Sequence, residues 1–302
     1  MNRKWVGNLM LLLTAFIWGS AFVAQSTGMD YLRPFTFNGV RSLIGGVVLL
    51  PVLLLWRPSG GRSPQVLRQT WRGGLCCGVI LFAASSFQQF GIAQTTVGKA
   101  SFITALYIVL VPLAGLLFRK RPAPQIWVAV ALGALGLYLL CITEAMSISA
   151  GDALVMVCSF LFAAHILVID YFSPRADGVM MSCIQFFVAG VLGVLCALLF
   201  ESPQWQDILN CWQPLLYAGA MSCGVAYTLQ ILGQKNTDPA VASLILSLES
   251  VFGALCGWLL LGESFSGREF AGVVLMFAAI LLAQLPAQWL EALWGKLARK
   301  RR

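Results

Sequence analysis

Glu249 lies about ten residues into an apolar stretch that runs from 239 to 261. An ionised carboxylate at such a depth costs several kcal/mol unless it is paired or wet, so it must face the interior of a helix bundle. The chemistry it offers is proton exchange: neutral in one access state and charged in another. A static partner for a buried cation or a helix end is the alternative. Arg41 stands about seven residues into a second apolar stretch, roughly 10 Å deep at 1.5 Å per residue. Its side chain either snorkels outward, pairs with Glu249, or takes a substrate carboxylate bidentately. His165, the single His, is a candidate proton relay, with a neutral imidazole bonded to backbone or water as the alternative.

Neutral hydrogen-bonding groups accompany these charges. Ser85, Gln88 and Gln89 project from one helical face, answered by Tyr227, Thr228, Gln230 and Gln234 in a later stretch, with Tyr107 and Trp18 supplying aromatic walls. Such a mixture suits an amphiphilic metabolite better than a bare ion. Each polar residue taken alone could equally join two packed helices, and the stripe Ser243, Ser247, Ser250, Ala254 and Gly257 reads as close packing.

The elements that hold these residues are membrane spans. Of 302 residues 59% are hydrophobic and 11% charged, where soluble domains run near 25% charged. A soluble globular protein is excluded. Apolar runs bounded by charge, Pro and Gly predict ten helices, at about 5–26, 34–56, 71–91, 97–118, 125–143, 152–171, 179–200, 212–233, 239–261 and 269–286. The first is read as a span rather than a cleaved signal, because its apolar stretch outruns a signal core. The fold class is therefore all-α, a polytopic membrane protein.

Sixteen of the 20 Lys and Arg fall on one side of these spans and three on the other, with Arg41 inside. Basic residues stay cytoplasmic, so both termini are expected inside. The net charge of +8 is thus an orientation signal, and no nucleic-acid partner is expected. Nine Cys without a Cys-x-x-Cys pair suggest neither a disulfide framework nor a metal site, and no cofactor is expected. Neither a Walker A loop nor a nucleophile, base or metal cluster is present to support direct ATP use or catalysis.

A shift of 142 to 144 residues lays the chain on itself. Gly7 and Phe16 fall on Gly151 and Phe160, and Gly19-Ser20 on Ala163-Ala164. Gln88 and Gly91 fall on Gln230 and Gly233, and Ala100-Ser101, Ile103, Leu106 and Val109 on Ala242-Ser243, Ile245, Leu248 and Val251. This is a repeat of five spans, 1–143 and 151–286, and because five is odd the copies are inverted. Inverted repeats with a midplane site between them are the plan of alternating-access carriers. Residues 287–302 place Trp289, Leu290, Leu293, Trp294 and Leu297 at helical spacing before Arg299-Lys300-Arg301-Arg302, an amphipathic helix expected on the inner leaflet. Spans 5 and 10 carry almost nothing polar and are expected to face lipid or a second copy in a homodimer.

Trp18-Gly19, Arg41, the stretch Ser247-Leu248-Glu249-Ser250-Val251-Phe252 and the run Gly257-Trp258-Leu259-Leu260-Leu261-Gly262-Glu263 resemble the EamA-type members of the drug/metabolite transporter superfamily. The resemblance covers essentially the whole chain. It departs at Ser250, where the family usually has Pro, and at Phe118-Arg119-Lys120-Arg121, where a Gly-Glu usually ends the fourth span. What it implies is a secondary transporter of the inner membrane moving small metabolites such as amino acids, sugars or organic cations, often outward and often against protons. A lipid-carrier flippase or membrane-embedded enzyme is the competing expectation.

Overall fold

A computed structural model describes residues 3–55, 63–95, 97–117, 122–141, 149–261 and 266–285. The basic loop 119–121, the Gly262-Glu263 pair and the 287–302 tail lie outside the described residues. Every regular element described is helical: α1 (Arg3–Gly28), α2 (Pro34–Leu55), α3 (Pro64–Ile92), α4 (Val97–Ala105), α5 (Tyr107–Leu117), α6 (Pro124–Cys141), α7 (Ala150–Phe172), α8 (Gly178–Phe200), α9 (Trp205–Asn210), α10 (Trp212–Leu216), a π-helical segment (Tyr217–Ala226), α11 (Tyr227–Gln234), α12 (Pro239–Leu246), α13 (Glu249–Leu261) and α14 (Gly267–Gln284). Among the described residues six helical stretches are long and apolar enough to cross a bilayer, the sixth being the continuous Trp212–Gln234. Ala100–Leu116, Pro124–Leu139 and Pro239–Gly253 are shorter apolar helices.

Local chemistry sets the ends. Ser63 accepts a hydrogen bond from the Val66 N–H and Pro64 needs no donor at the first position, so α3 starts seven residues before the expected apolar run. Ser149 with Asp152, and Ser266 with Glu269, close reciprocal capping boxes at α7 and α14. Glu201, just past α8, accepts from the Phe35 and Thr36 N–H groups at 2.8 and 2.7 Å and satisfies the start of α2.

Polarity is distributed as lipid demands. Leu198, Leu199 and Phe200 are exposed on α8, whereas Gln89, His165, Gln185 and Gln230 are buried. The exposed surface is apolar, and these polar side chains are enclosed with the buried Leu, Ile, Ala and Phe of the core. Helices close on one another where glycine removes the side chain. A Cβ on Gly7 would come 2.8 Å from the Gly233 carbonyl oxygen, and one on Gly91 would come 3.0 Å from that of Gly151. The 142–144 shift equates Gly7 with Gly151 and Gly233 with Gly91, so the two contacts occupy corresponding places in the two halves of the chain.

Two apolar stretches expected to be continuous are broken. The fourth divides at Leu106 into α4 and α5, and the ninth at Ser247-Leu248 into α12 and α13. Leu106 and Leu248 are equivalent under the repeat shift, so the breaks fall at the same place in each half. Tyr107 and Glu249 are the first residues beyond them. Free backbone groups at a helix break inside an apolar bundle are tolerated where they line a cavity.

Candidate functional site

The breaks face a narrow central cavity. α1 contributes Trp18, Phe22 and Gln25, α2 Arg41, α3 Gln88, α4 Thr104, and α5 Tyr107. From the second half come Phe162 and Ile166 of α7, Ser222 of the π-helical segment, Tyr227 and Gln230 of α11, and Glu249 of α13. The open space amounts to about 30 Å³, room for about two waters. A larger ligand enters only if wall side chains withdraw.

Glu249 is almost fully buried, and its Oε1 accepts a hydrogen bond of 3.0 Å from the Tyr107 hydroxyl. Arg41 is buried as well; its guanidinium lies 5.4 Å from the centroid of the Phe37 ring, one helical turn back on α2. Arg41 therefore turns into the cavity rather than snorkelling to the surface. Among the described residues no ion pair joins it to Glu249, so the direct pair, one of the three alternatives for Arg41, is not formed in this structure. An acid and a base thus share one desolvated space without an ion pair between them among the described residues.

The aromatic and amide groups complete the wall. The rings of Trp18 and Tyr227 lie 4.5 Å apart, and the Gln88 amide donates to the Thr104 hydroxyl at 3.3 Å. Trp18 Nε1, Gln25 Oε1 and Gln230 Oε1 are buried and have no hydrogen-bond partner among the described residues. Other such atoms, Asn38 Oδ1 and Gln234 Oε1 among them, lie away from the cavity, so what distinguishes these three is that they converge on one space.

Two expected site residues stand one layer behind. Gln89 donates to the Gln25 carbonyl at 3.1 Å, bracing α3 against α1. His165 is fully buried, its Nε2 3.1 Å from Gln185 Oε1 and its ring edge-on to Tyr227 at 5.9 Å. Neither residue lines the cavity.

Phe22, Gln25, Thr104, Phe162, Ile166 and Ser222 line the cavity without having been singled out in the sequence. Gln25 had a signal, an amide near the end of an apolar run; Ser222 depends on the wider turn of the π-helical segment, a feature frequent at functional sites.

The sequence profile of the EamA-like transporter family matches this chain twice, at residues 5–142 and 149–285. An "Uncharacterized transporter" of Archaeoglobus fulgidus is 30% identical over 284 residues, covering 94% of this chain and 87% of that protein. The "Uncharacterized inner membrane transporter YedA" of Escherichia coli (strain K12) is 26% identical, covering 88% and 87%. "Protein PecM" of Dickeya dadantii (strain 3937) is 24% identical over 89% of each chain. A solved crystal structure, 19% identical in sequence, superimposes with a TM-score of 0.78 over 94% of this chain and 98% of the other. That likeness concerns the fold.

Proposed function

The chain belongs to the EamA-like transporter family, and from that premise we propose that it is a secondary active carrier of the cell membrane exporting a small amino acid-like or amphiphilic metabolite in exchange for protons. Both termini are cytoplasmic, following the basic residues. Two inverted five-helix halves alternate access to the central cavity.

The observation that carries this reading is that Arg41 and Glu249 line one cavity with no ion pair between them among the described residues. A substrate carboxylate takes Arg41 bidentately, an ammonium or hydroxyl meets Glu249 and the Gln25 and Gln230 acceptors, and Trp18 with Tyr227 covers an apolar portion. Glu249 also serves as the proton site: substrate and proton compete for one carboxylate, which is the simplest way to make their movements opposite. The matched breaks before Tyr107 and Glu249 support a binding place at the junction of the two halves.

The test is proton movement in proteoliposomes of the purified protein challenged with amino acids, sugars, organic cations and nucleobases. A saturable response to a carboxylate-bearing class is expected. A response to permanent organic cations alone would remove Arg41 from recognition.

A further inference from the structure

On the flank of α7 away from the central cavity, α5 and the second half of α7 part to leave a crevice of about 910 Å³. Its walls are Leu110, Leu113, Phe160, Ala163, Ala164 and Leu167, with Phe160 and Leu113 about half exposed. The crevice ends at Asp170 and Tyr171. One turn on, Arg175 stacks its guanidinium 4.7 Å over the Tyr171 ring and donates from Nη1 to the Tyr171 carbonyl. A guanidinium has five N–H donors, so most of this exposed group is available to an acceptor.

The equivalent seam in the other half is shut. The repeat shift equates Phe160 with Phe16, Ala163 with Gly19 and Leu110 with Phe252. Phe16 and Phe252 meet edge to face at 5.3 Å, and a Cβ on Gly19 would lie 2.6 Å from Phe252 Cβ and 2.7 Å from the Gly253 nitrogen. The closed seam depends on Gly19, where the open one carries the Cβ of Ala163, and on the ring of Phe252, where the open one has Leu110, so the residues themselves hold the second seam apart.

We infer that the crevice binds one acyl chain of a glycerophospholipid, with its phosphate on Arg175. An apolar recess at hydrocarbon depth has no water to fill it, and chains are the solvent at hand. Arginine at the end of a span reaches the headgroup level, where its planar fork matches phosphate. The inference rests on the membrane reading above; the orientation proposed there makes the lipid one of the inner leaflet. It is independent of what Glu249 and Arg41 do.

The test uses the full chain in nanodiscs of phosphatidylglycerol carrying a diazirine in one acyl chain, with adducts mapped by peptide mass spectrometry. Adducts are expected to concentrate on 110–114 and 160–171, at several times the level on the lipid-facing residues 195–200. Ala164→Trp, which fills the crevice, should lower them at least fivefold and leave the 195–200 adducts unchanged, the latter reporting an intact fold. Leu113→Trp attacks the opposite wall and should do the same if Ala164→Trp does not fold. Arg175→Gln should reduce retained phospholipid two- to fivefold in native mass spectra. Adducts spread evenly over the lipid-facing surface, adducts unmoved by both Trp variants, or a cross-link between two copies across the crevice would each overturn the inference. Chains delivered in one leaflet only report the orientation separately: labelling from the outer leaflet alone supports the site and overturns the topology.

Discussion

Tyr107 and Glu249 stand 142 residues apart, occupy equivalent positions in the two halves of the chain, and join by a hydrogen bond of 3.0 Å. Each begins a helix just after a break in an apolar stretch. The bond therefore ties the two halves together at the place where both backbones are interrupted. It also holds the buried Glu249 carboxylate of the cavity in a fixed orientation, with its second oxygen left to other partners.

Tyr107→Phe removes that donor while keeping the ring. A hydrogen bond to a charged group contributes about 1.5–3 kcal/mol, so proton-driven flux should fall about 10- to 100-fold. Counterflow at equal substrate concentrations, which needs no net proton movement, should fall by less. Measuring both rates in the same vesicles checks the split; equal losses would reduce Tyr107 to a packing role.

Arg41→Gln should weaken the apparent affinity for a carboxylate substrate by about 10- to 100-fold, the loss of a charged hydrogen-bonding partner. Arg41→Lys keeps the charge without the fork and should recover part of it. The concentration dependence of counterflow reads both effects. Equal affinities for all three proteins would exclude Arg41 from the binding site.

Gly19 and Gly267 make a matched pair of tests. A Cβ at Gly19 would meet the Glu249 carbonyl oxygen and Phe252 Cβ at 2.6 Å, whereas one at Gly267 meets nothing within 4 Å. Gly19→Ala should cost about 1–3 kcal/mol by overpacking. Gly267→Ala, at the exposed start of α14, should be neutral or stabilising by about 0.4–1 kcal/mol. Thermal unfolding in one detergent ranks them.

His165→Ala should destabilise by about 1–3 kcal/mol, because it leaves the buried Gln185 carbonyl oxygen without its partner. The pH profile of transport should keep its shape, since His165 stands behind the cavity wall. A displaced profile would return His165 to the proton path.

What the sequence made legible follows from what hydrophobic patterning measures. Helix ends lay within a few residues of the expected limits wherever charge or Pro bounded the apolar run. α3 was the exception, because Arg68 and Arg72 hid a helix that Ser63 and Pro64 begin earlier. The breaks at Leu106 and Leu248 were invisible: an interruption that falls on a leucine within an apolar run reads as continuous helix. The π-helical turn at Tyr217–Ala226 was hidden for the same reason, its small and apolar residues giving no register.

The site was partly readable because a charged or amide side chain in an apolar run must turn inward, as Glu249, Arg41, Gln88 and Gln230 do. Inward, however, is not the same as cavity-lining. Gln88 and Gln89 are both buried on α3, yet they differ by about 100° around the helix axis, and only Gln88 reaches the cavity while Gln89 braces α1. The missing Arg41–Glu249 pair could not be foreseen either, since two opposite charges at similar depth invite pairing until the wall between them is known.

The central claim is that Glu249 carries the exchanged proton, and Glu249→Gln tests it most directly. The variant keeps the hydrogen bond from Tyr107 and removes the titratable group. In proteoliposomes, substrate flux driven by a pH gradient should be abolished while counterflow at equal concentrations survives. If gradient-driven flux persists at the rate of the unaltered protein, the coupling account is contradicted and Glu249 is a fixed part of the wall.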